Sequence, residues 1–385
     1  MPPAKVFVSA GEASGDMYAS QLVEVLGRAW PDTAWFGCAG PRMQQMGVRP
    51  VVDSRSLAVV GLVEVVRHLP RIYGLYRKLL ASVASEKPAL AILTDSSGLH
   101  LRMAARLHKA GVPVVYLVAP QAWAWRQGRV KQMRKTIGKL LCLFPFEEPF
   151  YRERGVDAVY IGHPLARRIG PTVDKASFCR RHQLDPTRPI IALCPGSRLG
   201  EIARHLPALS DSVPRIAARV PAQFILASPL GFLERAGSEF FRERIPLEAI
   251  QVIEGETWDV LAHADLALAA SGTVTMEAAL LGTPLVTYYR VTGASWLIGK
   301  MLVRVPHYSM VNLLAGRRLV PELMQNEMTG KQLSEQAIRL LTSEAERARM
   351  REAMAEIRAR LTSEADPMER AAQIVREFID EDHKR

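Results

Sequence analysis

Cysteine is scarce and scattered in this chain. Its four residues, Cys38, Cys142, Cys179 and Cys194, form no CxxC pair and have no histidines nearby at zinc-ligand spacing. This excludes a disulfide framework and a metal knuckle, and reads as buried thiols in a reducing compartment. Long apolar runs are also missing. The early one, Val6 to Ala10, is too short for a signal-peptide core, and no later stretch reaches the roughly 18 apolar residues of a spanning helix. A cytoplasmic protein is expected. A dense Lys/Arg tail, a zinc finger and an aromatic RNA-binding signature are absent as well, which argues against nucleic acid as a partner. Acidic residues are in deficit, 39 Asp and Glu against 50 Lys and Arg, leaving a net charge of +11. Such a surplus asks for an anionic membrane surface, a phosphorylated substrate or nucleic acid, and composition alone does not choose.

What is present is enough apolar sequence for two lobes, 48% hydrophobic over 385 residues. Short apolar runs alternate with charged, helix-periodic segments, the mark of parallel βαβ layering. Strands are predicted at Lys5–Ser9, Leu90–Thr94, Val114–Val118, Leu140–Phe144 and Val159–Ile161. After Gly162-His163-Pro164 the rhythm restarts with strands at Ile190–Cys194, Gln223–Ala227, Ala249–Ile253, Leu266–Ala269 and Leu285–Tyr288. The expected fold is α/β with two Rossmann-like lobes facing a central crevice: residues 1–165, residues 166–335, and C-terminal helices over 336–385. His163 marks the hinge, since the following Pro- and Arg-rich stretch has the composition of a boundary. Ile338, Leu341, Met350, Met354, Ile357 and Leu361 are spaced for one buried face. Spacing leaves open whether these helices cross back onto the first lobe.

Several strand-tip loops carry chemistry. In LALAASGTVTMEAALLGTP a buried strand ends at Ser271-Gly272-Thr273 and a helix begins at once, pointing backbone N–H groups and a positive dipole end at whatever lies above. A diphosphate suits that junction, and Glu277, one turn in, suits ribose hydroxyls. The alternative is that Thr273 only caps the helix and Glu277 only complements its dipole. PGSRLGEI repeats the strand, turn and helix, with Gly196, Ser197 and Arg198 at the turn, where a guanidinium neutralises a departing pyrophosphate or is simply solvated. The first strand is followed by GEASGD, which is neither GxGxxG nor a GK[ST] loop. Its acids, Glu12 and Asp16, repel phosphate but accept hydrogen bonds from sugar hydroxyls, so Gly11, Glu12, Ser14 and Asp16 read as acceptor-side residues or as a plain tight turn.

Asp95 stands at the tip of a hydrophobic strand in TDSSGLH, placed either as a general base or as a helix N-cap. His100 and His108 beyond it read as solvated or capping. WAWRQGRV sets Trp125 and Arg126 among basic residues, suited to a phosphosugar or a headgroup interface, or to a surface helix with partly packed tryptophans. The stripe Val65, Val66, Leu69, Ile72, Tyr73 and Tyr76 is edged by arginines and broken by Pro70, which fits an interfacial membrane patch as well as ordinary core packing.

The ordered set GEASGD, AGPRMQQMG, VVGLVEVVRHLPRI, Asp95, WAWRQGRV, FPFEEPFY, IGHP, PGSRLGEI, ASGTVTMEAALLGTP and VNLLAGRRLVPELMQ resembles the lipid-A-disaccharide synthase family of GT-B glycosyltransferases, over residues 5 to about 325. The resemblance implies an inverting transfer. The diacylglucosamine of a UDP-linked donor moves to the 6-hydroxyl of diacylglucosamine 1-phosphate, giving a β-1,6 disaccharide and UDP. It implies Asp95 as the base, UDP at Gly196, Ser197, Arg198, Ser271, Gly272, Thr273, Glu277 and Asn312, and no cofactor or metal. It also implies work at the cytoplasmic leaflet of the inner membrane as a peripheral protein, and a homodimer is compatible with it. One departure stands out: members commonly read D-x-P-D-F-N where this chain has DSSGLH, so its acceptor-side contacts are expected to differ.

Rival readings make different demands. A nucleic-acid binder binds oligonucleotides with steep salt dependence and no UDP. A catalytically silent membrane-associated UDP-sugar binder keeps the second-lobe site without turnover. Another GT-B transferase uses a different acceptor, and a UDP-sugar epimerase acts on UDP-N-acetylglucosamine with no lipid acceptor.

Overall fold

The computed structural model describes residues 2–56, 62–236, 240, 248–303 and 305–382, with side chains omitted at 62–69, 235, 236, 294, 298, 301 and 382. The chain divides into two compact units. The first comprises Met1–Arg167, Leu302–Arg304 and Leu361–Arg385, and the second Arg168–Met301 and Val305–Arg360.

The first unit is built on a parallel sheet of seven strands: β1 (Lys5–Ala10), β2 (Ala34–Ala39), β3 (Arg49–Asp53), β4 (Leu90–Thr94), β5 (Val114–Leu117), β6 (Lys139–Cys142) and β7 (Ala158–Tyr160). Its central strands are buried on both faces and therefore read as unbroken apolar runs, as parallel strands flanked by crossover helices must. Spatial order is β3-β2-β1-β4-β5-β6-β7. The chain thus steps outward one way from β1 and the other way from β4, and the crevice where crossovers diverge opens beyond the carboxyl ends of that pair. Ala10 is in register with Thr94, so the residues that follow each emerge side by side.

The second unit repeats this plan with β8 (Ile190–Cys194), β9 (Gln223–Ser228), β10 (Ile250–Glu254), β11 (Leu266–Ala270), β12 (Leu285–Tyr289) and β13 (Glu322–Met324), in the order β10-β9-β8-β11-β12-β13. Its reversal lies between β8 and β11, with Ala269 in register with Cys194.

Three strands were not expected. In β2 an internal glycine lies at a register shift against β3, β3 carries Pro50 and Arg49 and sits at the sheet edge, and β13 is three residues long. Each loses the continuous apolar signal for a local reason. The C-terminal helix Pro367–Asp382 belongs to the first unit, where it packs on the helix Ala13–Ala29 through buried Met368, Ala371, Ala372 and Val375. Met350, Met354, Ile357 and Leu361 are buried as their spacing predicts, whereas Ile338 and Leu341 are half-buried and their helix is anchored by Leu333, Ala337 and Leu340. Among the described residues no helix is long and apolar enough to cross a membrane.

Candidate active site

At the reversal of the first sheet, GEASGD wraps the carboxylate of Asp95. The Gly11 N–H donates to Oδ1 at 2.9 Å and the Glu12 N–H to Oδ2 at 3.1 Å. Two glycines make room for this. A Cβ on Gly15 would lie 1.6 Å from Asp95 Oδ2, and one on Gly11 would lie 2.0 Å from Ser96 Oγ. The carboxylate therefore serves the neighbouring loop, and the N-cap position of the helix Ser97–Lys109 falls to Ser96. Asp95 and Ser96 are both left-handed, with φ of 54° and 34°, an unfavourable conformation for residues with side chains. The Asp95 carbonyl oxygen is held from the other side: the Tyr116 hydroxyl donates to it, and His100 Nδ1 lies 3.2 Å away. The Asp95 side chain is only 12% exposed. Burial lifts its pKa to about 7; the Glu12 carboxylate adds to the rise, while the Gly11 N–H and the Ser96 hydroxyl act against it. A carboxyl so poised accepts a proton near neutrality.

The other acceptor-side expectations fare unevenly. Asp16 is buried and its oxygens accept from the N–H groups of Gly40, Arg42 and Met43, so it ties down the loop after β2. Glu12 is exposed and Ser14 half-buried beside the Asp95 carboxylate's loop. Trp125 lies under two guanidiniums, those of Arg126 at 4.7 Å and Arg129 at 5.1 Å. Arg129, one of the basic residues flanking the tryptophans, donates to Ser97 Oγ at 3.1 Å and so joins the WAWRQGRV loop to the turn bearing Asp95. The FPFEEPFY motif is a brace for that loop. Glu147 accepts from the Trp123 indole N–H at 3.1 Å and from the Phe144 N–H, and the Tyr151 hydroxyl donates to the Pro120 carbonyl. Burial pushes Glu147 up to about 7.

His163 is buried between Phe144 and Tyr18, at ring-centroid distances of 5.3 and 6.3 Å, and burial lowers its pKa to about 4. Of the apolar stripe, the side chains of Val65, Val66 and Leu69 lie outside the described residues. Tyr73 is 62% exposed, Ile72 is half-buried, and Tyr76 packs against the core of the first unit. Tyr76, half-buried, lies with its ring 6.4 Å from that of Tyr73, one helical turn away on the same face.

In the second unit, the two phosphate-suited loops follow β8 and β11, the neighbouring strands at the reversal. Gly272 occupies the N-cap position of the helix Thr273–Leu281 and its carbonyl accepts from the Thr275 N–H at 3.1 Å, so the dipole's positive end lies at this strand-to-helix junction. Glu277 lies half-buried one turn in, close enough to the tip of β8 that its charge adds to the burial raising the Cys194 thiol to about 12. In the PGSR turn, Gly196 is left-handed with φ of 121° and a Cβ there would meet the Glu201 carboxylate at 2.5 Å. The Ser197 N–H donates to that carboxylate at 3.3 Å, and Arg198, half-buried, is the N-cap residue of the helix Leu199–Ala217 that follows. Ser271 is held at the β11 tip by its N–H to the Tyr288 carbonyl.

Asn312 is different. Fully buried, it donates to the Val320 carbonyl and Glu322 Oε1 and accepts from the N–H groups of Leu319 and Val320. Its amide is hydrogen-bonded on both sides to the loop before β13, so it supports the unit's architecture. Sequence spacing carries no signal for that, because burial of a polar side chain is a tertiary fact.

Comparison with known proteins agrees with both units. The family model described as lipid-A-disaccharide synthetase matches residues 6–378. A lipid-A-disaccharide synthase of Solibacter usitatus is 55% identical over 376 residues, covering 98% of each chain, and one of Myxococcus xanthus is 39% identical over 98% of each. Solved structures share the fold at low identity. The glycotransferase of kitacinnamycin superposes with a TM-score of 0.64 at 16% identity, covering 98% of this chain and all of that one. A Staphylococcus aureus protein solved with UDP gives 0.65 at 14%, covering 99% and 96%. With matched residues running through every motif-bearing strand tip of a GT-B fold, the chain belongs to the lipid-A-disaccharide synthase family.

Proposed function

We propose that the protein joins two acylated glucosamines. A UDP-2,3-diacylglucosamine donor and a 2,3-diacylglucosamine 1-phosphate acceptor yield the β-1,6-linked lipid A disaccharide 1-phosphate and UDP. The observation that carries this reading is the Asp95 carboxylate, buried at the β1/β4 reversal, gripped by two backbone N–H groups and raised to about pKa 7. Asp95 takes the proton of the acceptor 6-hydroxyl as that oxygen attacks the donor C1 from the face opposite UDP. The C1–O bond to the nucleotide breaks, its electron pair leaves with UDP, and the anomeric configuration inverts. Arg198 and the N-terminus of the helix Thr273–Leu281 stabilise the charge that gathers on the departing diphosphate. Glu277 holds the ribose hydroxyls. Exposed Tyr73, with Arg71, Arg77 and Lys78 exposed on the same helix, supports contact with the anionic cytoplasmic face of the inner membrane, where acylated substrates reside.

Incubating the purified protein with both acylated substrates should give disaccharide and UDP in equal amounts. Absence of product from the wild type overturns the synthase reading, and turnover of UDP-N-acetylglucosamine without any lipid acceptor replaces it with an epimerase.

A further inference from the structure

We propose that His100 is a positioning residue for the transfer, fixing the aim of the Asp95 carboxylate by bridging β1 to the Asp95 main chain. This rests on the assignment of Asp95 as the base. Its side chain is fully buried on the helix that follows the left-handed turn. One ring nitrogen, Nδ1, lies 3.2 Å from the Asp95 carbonyl oxygen, and the other, Nε2, 2.8 Å from Ser9 Oγ on β1. A carbonyl only accepts, so Nδ1 carries the hydrogen. Nε2 is then the acceptor, and the Ser9 hydroxyl donates to it.

The hydrogen bonds form one chain from Ser9 through the ring to Asp95 O, where the Tyr116 hydroxyl donates as well. The groups facing the ring are thus Ser9 from β1, the Thr94 backbone at the end of β4 and Asp95 from the turn after it, with Tyr116 from β5 on the shared acceptor. Nδ1 also lies 3.9 Å from Asp95 Oδ1, so the fully buried ring borders the carboxylate as well as the main chain. Burial lowers the His100 pKa to about 4, which keeps this neutral tautomer in place through the working range.

The need for such a lock follows from the backbone. Two successive residues with side chains are left-handed at Asp95 and Ser96, and relaxation of that turn would swing the carboxylate out of the Gly11 and Glu12 N–H grip. Displacement of a reacting group by about 1 Å costs on the order of 100-fold in rate.

The test compares His100→Ala, His100→Asn and Ser9→Ala with Asp95→Asn in the full-length protein, following disaccharide formation and UDP binding. His100→Ala should lower kcat by about 10- to 100-fold with UDP affinity and the donor KM unchanged. It should also shift the acid limb of the pH–rate profile, because the carboxylate loses its fixed surroundings. His100→Asn, whose amide donates to the same carbonyl, should recover most of the loss. Ser9→Ala, a milder change should His100→Ala fail to fold, should lower kcat about threefold to tenfold through loss of one hydrogen bond. A folded His100→Ala enzyme with wild-type kcat and pH profile overturns the inference, as does a His100→Asn enzyme as impaired as the alanine variant, or an unimpaired Ser9→Ala enzyme. An active Asp95→Asn enzyme overturns instead the assignment beneath it.

Discussion

Replacing Asp95 with Asn should abolish most turnover and, at the same time, shift the stability difference between variant and wild type in the variant's favour as pH rises from acid to neutral. The carboxyl titrates near 7 in the folded protein because burial penalises its charge, against 3.8 for an ordinary Asp. Between those values the folded state binds more protons than the unfolded state, so the wild type loses stability as pH rises through that window. Three pKa units correspond to about 4 kcal/mol as an upper limit, reached at about pH 7 and constant above it. Asparagine does not titrate. It also places an amide N–H₂ against one of the two backbone donors, a pH-independent cost of about 1–3 kcal/mol. The informative quantity is therefore how the stability difference between variant and wild type changes with pH, not its absolute value. For a unit of this size about 1 kcal/mol moves Tm by about 2–4 °C, so the Asn variant should gain up to roughly 10 °C relative to wild type between pH 5 and pH 7.5. Calorimetric scans at matched ionic strength measure this, and kcat should fall by about 100- to 10,000-fold in the same variant. A Tm difference that stays constant over the range refutes the argument that burial charges Asp95 at a cost. The wild-type rate should correspondingly rise with pH through about 7, where the carboxylate becomes able to accept the acceptor's proton.

Gly15→Ala puts a methyl group into the Asp95 carboxylate and should cut kcat by about 100-fold while UDP affinity, measured by calorimetry, holds. Arg198→Ala and Glu277→Ala should each raise the Kd for UDP about tenfold or more, since each removes a charge-assisted contact, and unchanged binding in both would move the nucleotide elsewhere. Asn312→Ala strands the Leu319 and Val320 N–H groups and should cost about 3 kcal/mol of stability, leaving UDP affinity of the folded protein intact. Tyr73→Ser should weaken sedimentation with vesicles containing anionic lipid, and raising ionic strength should weaken that of the wild type; salt-independent binding would exclude an electrostatic component.

The amino-acid sequence alone determined most of the scaffold and the identity of its chemical groups. Strands such as Leu90–Thr94 and Ile190–Cys194 were legible to the residue because burial on both faces leaves an unbroken apolar run with a turn at its end. Asp95, Arg198 and the Ser271-Gly272-Thr273 junction were legible because each sits directly after such a run. Only the tertiary structure decided what those groups touch. The two reversals of strand order bring β1 beside β4 and β8 beside β11, across separations in the chain that no local pattern spans. That is why GEASGD, read by itself as a sugar-side loop or a plain tight turn, is seen to clamp a carboxylate 84 residues away, by its Gly11 N–H. The same holds for Asp16 and Asn312, polar residues whose hydrogen bonds are consumed inside the fold, and for His100, read from spacing as a solvated or capping residue and found fully buried behind Asp95. Periodicity registers where a side chain points relative to its own helix or strand. Which partner waits there depends on strand order and burial, and those exist only once the chain has folded.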